Sequence, residues 1–392
     1  MTPRERRTLL GVLGFLTFAS VYANVVIVPV LVQIAGDFHT TTGQAGLVAA
    51  AYGVPGIVIA VVAGPYSDRI GRKVFLVFGS LVMGIGTLLS AVAPTFELLV
   101  LTRALAGVGA SVIFPNVNAT IGDLFAYRER GRAISTVIAM NTMASIIGLP
   151  IAGIVAEATS WRVSVAIVGL LAVTAAALLF RLLPNRRPEA DPGRARALYW
   201  QILSNRSAVA AIVSSLMGAL FWFTWATFFI VFFQQTYDLS LGTASTVGLT
   251  MGVGVLIGSQ VGGRLGDRIG HKWIVAGSIA ISAALLVVQT NVPMPLAVAA
   301  ALNLILSAVI GARFATNNAL LSEQVPDARG TMFAVSASVV SVGMVAGAAI
   351  GGILVDGFGF GAVGLFCGAV AVIASAIVVA FVTEEPMDLE TI

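Results

Sequence analysis

Stretches of about twenty apolar residues alternate with short charged turns along the whole chain, and no other feature restricts its fold as strongly. A helix of that length rises about 30 Å, the thickness of a bilayer's hydrocarbon core. Hydrophobic residues make up 58% of the 392 and charged residues 10%, where soluble domains carry roughly 25% charged residues. The chain therefore reads as a membrane protein. Breaking it wherever charge, proline or polar clusters interrupt the apolar runs predicts twelve helices, at 8–34, 44–64, 74–92, 97–121, 132–156, 163–183, 207–233, 243–263, 273–291, 296–320, 331–355 and 361–382. An even number puts both termini on one side. The apolar stretch behind the basic N-terminus runs on to about Ile34 without a small-residue cleavage site, so it reads as a first span and not as a removed signal peptide.

The 22 Lys and Arg residues set the orientation. Nineteen fall on the side of the N-terminus, Arg162 alone falls on the other, and Arg103 and Arg313 lie inside spans. The positive-inside rule then makes both termini cytoplasmic, in a multi-pass protein of the cell membrane. The net charge of +4 reflects topology, and no nucleic-acid partner is expected. Segment 185–206, with prolines, mixed charge and an amphipathic tail, reads as a cytoplasmic linker whose second half forms an interfacial helix. It separates an N-terminal six-helix bundle, 1–184, from a C-terminal one, 207–392. The single cysteine, Cys367, excludes an intramolecular disulfide.

An internal repeat divides the chain in the same way. At an offset of 199 residues, "GPYSDRIGRK" (64–73) falls on "GRLGDRIGHK" (263–272), matching Gly64, Asp68, Arg69, Ile70, Gly71 and Lys73 with Gly263, Asp267, Arg268, Ile269, Gly270 and Lys272. The same register aligns Arg130, Gly131 and Gly153 with Arg329, Gly330 and Gly352. Each charged turn joins the second and third helices of its half on the same side, so the repeat is parallel. Topology alone accounts for Arg72 and Lys73, but not for Asp68, for the glycines or for the second copy. A carrier that alternates access between two sides needs contacts that hold one side shut and can still open.

These residues resemble the major facilitator superfamily over almost the whole chain. Gly64 to Lys73 satisfies that family's signature between helices 2 and 3, and a degraded copy lies between helices 8 and 9. Arg103, followed by Gly107 and Gly109, is similar to the arginine motif of the drug and metabolite antiporters. Gly148 to Gly153 resembles the antiporter signature in part, with Leu149 in place of a glycine and Ile154 in place of the closing one. The resemblance implies an all-α membrane fold of twelve helices in two pseudo-twofold-related bundles. It also implies a gate in which Asp68 meets the start of helix 11 near Gly330 and Arg72 pairs with Asp123. The gating and coupling set is thus Gly64, Asp68, Arg69, Gly71, Arg72, Lys73, Asp123, Gly263, Asp267, Arg268, Gly270 and Arg103.

No aspartate or glutamate lies near the middle of a span. A cavity without carboxylates does not favour organic cations, so neutral or anionic amphiphiles are the expected substrates. Arg313 shares a helical face with Asn317 and, further round, with Asn303 and Ser307, making span 10 a candidate cavity wall. Asn24, Asn118 and Asn141 are candidate ligand contacts, and Trp225 and Phe229 offer an apolar wall in a span 7 ringed by aromatics, most of which face lipid or pack structurally. "GFGAVG" (359–364) formally fits a dinucleotide motif, but no strand precedes it. No metal-binding, nucleophile-elbow or Walker pattern occurs, so neither an enzyme nor a cofactor is expected. The expectation is a monomeric, proton-coupled exporter of small amphipathic molecules, surrounded by membrane lipid and working by alternating access. A lipid or lysolipid transporter or flippase, a sugar or metabolite uniporter or symporter, and a channel stay open as alternatives.

Overall fold

The computed structural model of the protein describes residues 3–59, 67, 70–125, 127–184, 194–325 and 328–384. Among them the regular structure is helical: α1 (Pro3–Val25), α2 (Leu31–Asp37), α3 (Thr42–Gly53), α4 (Arg72–Ala91), α5 (Phe96–Ser111), α6 (Ile113–Leu124), α7 (Tyr127–Ala158), α8 (Trp161–Leu182), α9 (Arg194–Ser204), α10 (Arg206–Tyr237), α11 (Leu241–Ile269), α12 (His271–Asn291), α13 (Leu296–Gln324) and α14 (Arg329–Phe381). Among the described residues, eleven segments are long and apolar enough to cross a membrane. The last of them belongs to α14, whose 53 residues would extend about 80 Å if straight. Gly359, at φ 75° and ψ −178°, breaks it. The two arms are the eleventh and twelfth spans, and the glycine of "GFGAVG" is their bend.

Prolines explain why several expected spans arrive in pieces. The first stops at Val25 and resumes as α2 after Pro29, the second turns at Val54 and Pro55, and the fourth is interrupted at Val112, three residues before Pro115. Each proline lacks the amide that would bond four residues back and crowds the preceding turn. Thr41 starts α3 with a capping box shared with Gln44. Part of the expected linker is the helix α9; residues 185–193 lie outside the described residues.

The chain forms two compact units, one of residues Met1–Pro192 with Thr227–Leu249 and one of Gly193–Ala226 with Thr250–Ile392. In the first, α4 packs along α5 and α8, and α1 along α7 and α8. Arg162 is more than a topological charge there. It donates to the carbonyls of Ala91 and Ala93 at the end of α4, at 3.2 and 2.9 Å, and stacks over Trp161, which bonds Asp37 at 2.6 Å. In the second unit α12 packs along α13 and α14. Of the two roles expected for the aromatics of α10, facing lipid or packing structurally, most take the second. Phe221, Trp222, Trp225, Phe228, Phe229, Phe232 and Phe233 are all buried, as befits a helix that is apolar on every side.

The two repeated turns share one backbone conformation. Gly71 (φ 110°, ψ 141°) and Gly270 (φ 96°, ψ 139°) precede α4 and α12, and their amides bond Ser67 O and Gly266 O, both at 2.9 Å. That region of backbone space is essentially closed to side chains, at a cost of about 1–3 kcal/mol. Gly71→Ala and Gly270→Ala are each expected to lower stability by about that amount, measured as thermal melting of purified protein. Gly263→Ala, at a position with nothing within 4 Å of an added methyl, is expected to leave melting unchanged or to raise it.

Candidate gating and substrate sites

Gly64, Asp68 and Arg69 lie outside the described residues, and with them the expected contact of Asp68 with the start of helix 11. The rest of the first turn is fastened within its own unit. Arg72 Nε stands 3.3 Å from Asp123 Oδ2, its Nη1 donates to Ser67 Oγ at 2.7 Å, and Lys73 Nζ lies 5.3 Å from the centre of the Phe180 ring. Partly exposed ion pairs of this kind contribute about 0.2–1 kcal/mol, weak enough to open and reform.

In the second turn His271 stands where the offset of 199 places the counterpart of Arg72. Its Nε2 lies 3.5 Å from Glu323 Oε1 and 3.8 Å from Asp267 Oδ1. Glu384 accepts from the amides of His271 and Lys272 at 2.6 and 3.0 Å, so a carboxylate caps the first turn of α12 where the helix dipole favours negative charge. Arg268 is exposed.

Arg103 is completely buried. Its Nη2 donates to Ala23 O at 2.8 Å, and its guanidinium lies 4.5 Å from the centre of the Tyr52 ring. Ala23 belongs to the last turn of α1, whose carbonyls lack helical amide partners. A cation there meets the negative end of the helix dipole. Arg103 thus closes the end of the broken first span, with Asn24 half-buried beside it. Asn118 and Asn141 are also half-buried, and Asn141 Oδ1 has no hydrogen-bond partner.

The expected polar face of span 10 points at α10. Asn303 accepts from Trp225 Nε1 at 3.2 Å and donates to Thr250 Oγ1 at 2.8 Å. Arg313 Nη2 reaches Ser214 O at 3.4 Å, and Asn317 Nδ2 donates to Ser215 Oγ at 3.1 Å. The three side chains form a buried polar seam between two helices of the second unit, in which Ser214 Oγ and Arg313 Nε are left without partners; Ser307, whose Oγ also lacks one, faces Gly254 of α11. Phe229 is fully buried and lies on the part of α10 that belongs to the first unit, so it does not join this seam.

Two functional candidates carry no motif. Gly218 lies where an added methyl would strike the Arg313 guanidinium, so the missing side chain makes room for the cation. Glu157, at the end of α7, accepts from the amide of Gly242 and, at 3.4 Å, from Ser240 Oγ. It places a carboxylate at the N-terminus of α11, where free amides and the helix dipole attract an anion. The 32 residues of α7 span about 48 Å, so this contact and the Arg72–Asp123 pair occupy opposite ends of the same unit.

The model of the Major Facilitator Superfamily matches residues 13–261 and 232–391. Multidrug resistance protein 1 of Bacillus subtilis (strain 168) is 31% identical over 166 residues, 42% of each chain. The quinolone resistance protein NorA of Staphylococcus aureus (strain Mu50) is 26% identical over 149 residues, 38% of each chain. The matches thus span about two fifths of these relatives' lengths. Among solved structures, a bacterial homolog of the human lysosomal transporter Spinster superposes with a TM-score of 0.82 at 16% identity, covering 98% of this chain and 100% of that one. The nucleoside transporter NupG superposes with a TM-score of 0.77 at 15% identity, covering 95% and 98%. With membrane-length helices throughout the described residues, the chain belongs to the Major Facilitator Superfamily and is a multi-pass membrane protein.

Proposed function

We propose that the protein is a secondary active exporter of small amphipathic molecules, drugs or metabolites, driven by the proton gradient. It works as a monomer in the cell membrane, with both termini cytoplasmic and with homologous halves 1–184 and 207–392 joined by the linker 185–206. The observation that carries this reading is the contact of Glu157, in the half 1–184, with the start of α11, in the half 207–392. A carrier that exposes its site alternately needs one breakable latch on each side. The relatives named for drug resistance support an amphipathic substrate, and the charge asymmetry of the turns supports the orientation.

Proteoliposomes with imposed pH gradients test the coupling. Accumulation of a hydrophobic dye or quinolone with an acidic lumen is expected, because a proton leaving the vesicle drives a substrate into it by antiport. Accumulation only with an acidic exterior would make the protein a symporter, and equilibration indifferent to either gradient would make it a uniporter. Both results contradict the proposal.

A further inference from the structure

The two arginines buried in the spans are held differently. Arg103 meets a carbonyl at a helix end, at 2.8 Å, and an aromatic face at 4.5 Å. Arg313 reaches a carbonyl inside α10 at the longer distance of 3.4 Å. Phe221 and Phe314 flank its guanidinium, with ring centres at 5.9 and 5.7 Å. Its Nε has no partner, as Arg103 Nε and Nη1 have none, Ser214 Oγ on the same seam is likewise unpaired, and neither arginine forms a salt bridge among the described residues. A cation removed from water without a counter-ion is strongly disfavoured, and Arg313 is only 2% exposed.

We propose that the counter-charge is supplied by the substrate, so that the transported amphiphiles carry a carboxylate which pairs with Arg313. Gly218 leaves the guanidinium lying against the backbone of α10. Trp222 meets Phe314 edge-on, with ring centres 6.1 Å apart, and together with Phe221 these rings supply the apolar surface for the body of such a molecule. Ser214 provides a hydroxyl donor for the second carboxylate oxygen. This inference rests on the transporter reading above and narrows its substrate class.

Two probes that share a body and differ in charge test it, 1-pyrenebutyrate and the neutral 1-pyrenebutanol. Each is titrated into the full-length protein in phosphatidylcholine nanodiscs, with empty nanodiscs as the blank, and binding is read by energy transfer from tryptophan. The protein is expected to bind the carboxylate about ten to a hundred times more tightly than the alcohol, the range of one charge-assisted hydrogen bond. In Arg313→Gln that ratio is expected to collapse to about one while alcohol binding persists, with Arg313→Lys retaining part of the preference and Gly218→Ala falling between. Without ligand, Arg313→Gln is expected to melt no lower than the parent, because it removes an uncompensated charge; a purely structural arginine would lower the melting temperature. Equal affinity of the parent for both probes, or a preference that survives in Arg313→Gln, overturns the proposal. No gradient is applied, so the outcome is independent of whether the uptake experiment finds antiport.

Discussion

Gly258→Val is expected to leave little folded protein to purify. A methyl at this position would already overlap the backbone of Ala308 on α13, and Gly254 and Gly262, one turn to either side, face Leu304, Ser307 and Ala312 on the same helix. The contact is backbone against backbone, so no side chain can rotate aside to make room. Overpacking in a core costs about 1–3 kcal/mol even where neighbours can give way; where two helices must separate along their length, the loss is expected to exceed that range. Small residues four apart allow membrane helices to approach closely, and packing is most of what holds them together in lipid. The yield of monodisperse protein and its melting temperature measure the effect, with Gly277→Val as control. Gly277 lies on α12 in the same unit with nothing within 4 Å of an added methyl, and that variant is expected to purify normally.

Glu157→Gln is expected to slow transport by about tenfold or more while leaving the protein folded. The glutamine keeps the shape and loses the charge that meets the amide of Gly242 and the N-terminus of α11. Hydrogen bonds to a charged group contribute about 1.5–3 kcal/mol, and each 1.4 kcal/mol moves an equilibrium tenfold. A carrier whose latch is weakened by that amount spends most of its time with that side open and cycles slowly. Ser240→Ala removes the 3.4 Å contact to the same carboxylate and the hydroxyl's bonds with Thr243, but keeps the charge, and is expected to change the rate little. Initial rates of substrate exchange in proteoliposomes distinguish the two variants.

The twelve spans are legible in the sequence because apolar length is a property of each segment alone. The breaks within spans are legible as far as prolines mark them, at Pro29, Pro55 and Pro115. The repeat is legible because both turns need a glycine at one backbone position, and Gly71 and Gly270 share that conformation. The face of α13 that carries Asn303, Arg313 and Asn317 follows from helical periodicity, but its partners Trp225, Ser214 and Ser215 do not. They lie 78 to 102 residues away, and packing decides which side chains meet. Glu157 does not stand out in the sequence for the same reason: it is one of many acids at span ends, and what distinguishes it is a helix terminus 85 residues further on. The partners of Arg103 and Arg313 are equally invisible in the sequence. Both are lone cations in apolar runs, and only the structure places one against a helix end and the other against a helix flank.

Alternation at the Glu157 end is the most direct test of the account. Spin labels at Thr159→Cys and Thr243→Cys, both exposed positions flanking the contact of Glu157 with Gly242, are attached in a Cys367→Ser background that removes the single native cysteine. Double electron–electron resonance in nanodiscs is expected to give two populations of distance, the shorter with the carboxylate seated on the helix and the longer with it released. Glu157→Gln is expected to shift the balance towards the longer by about tenfold. A single distance that neither substrate nor Glu157→Gln alters would contradict a breakable latch at this end, and with it the alternating-access reading.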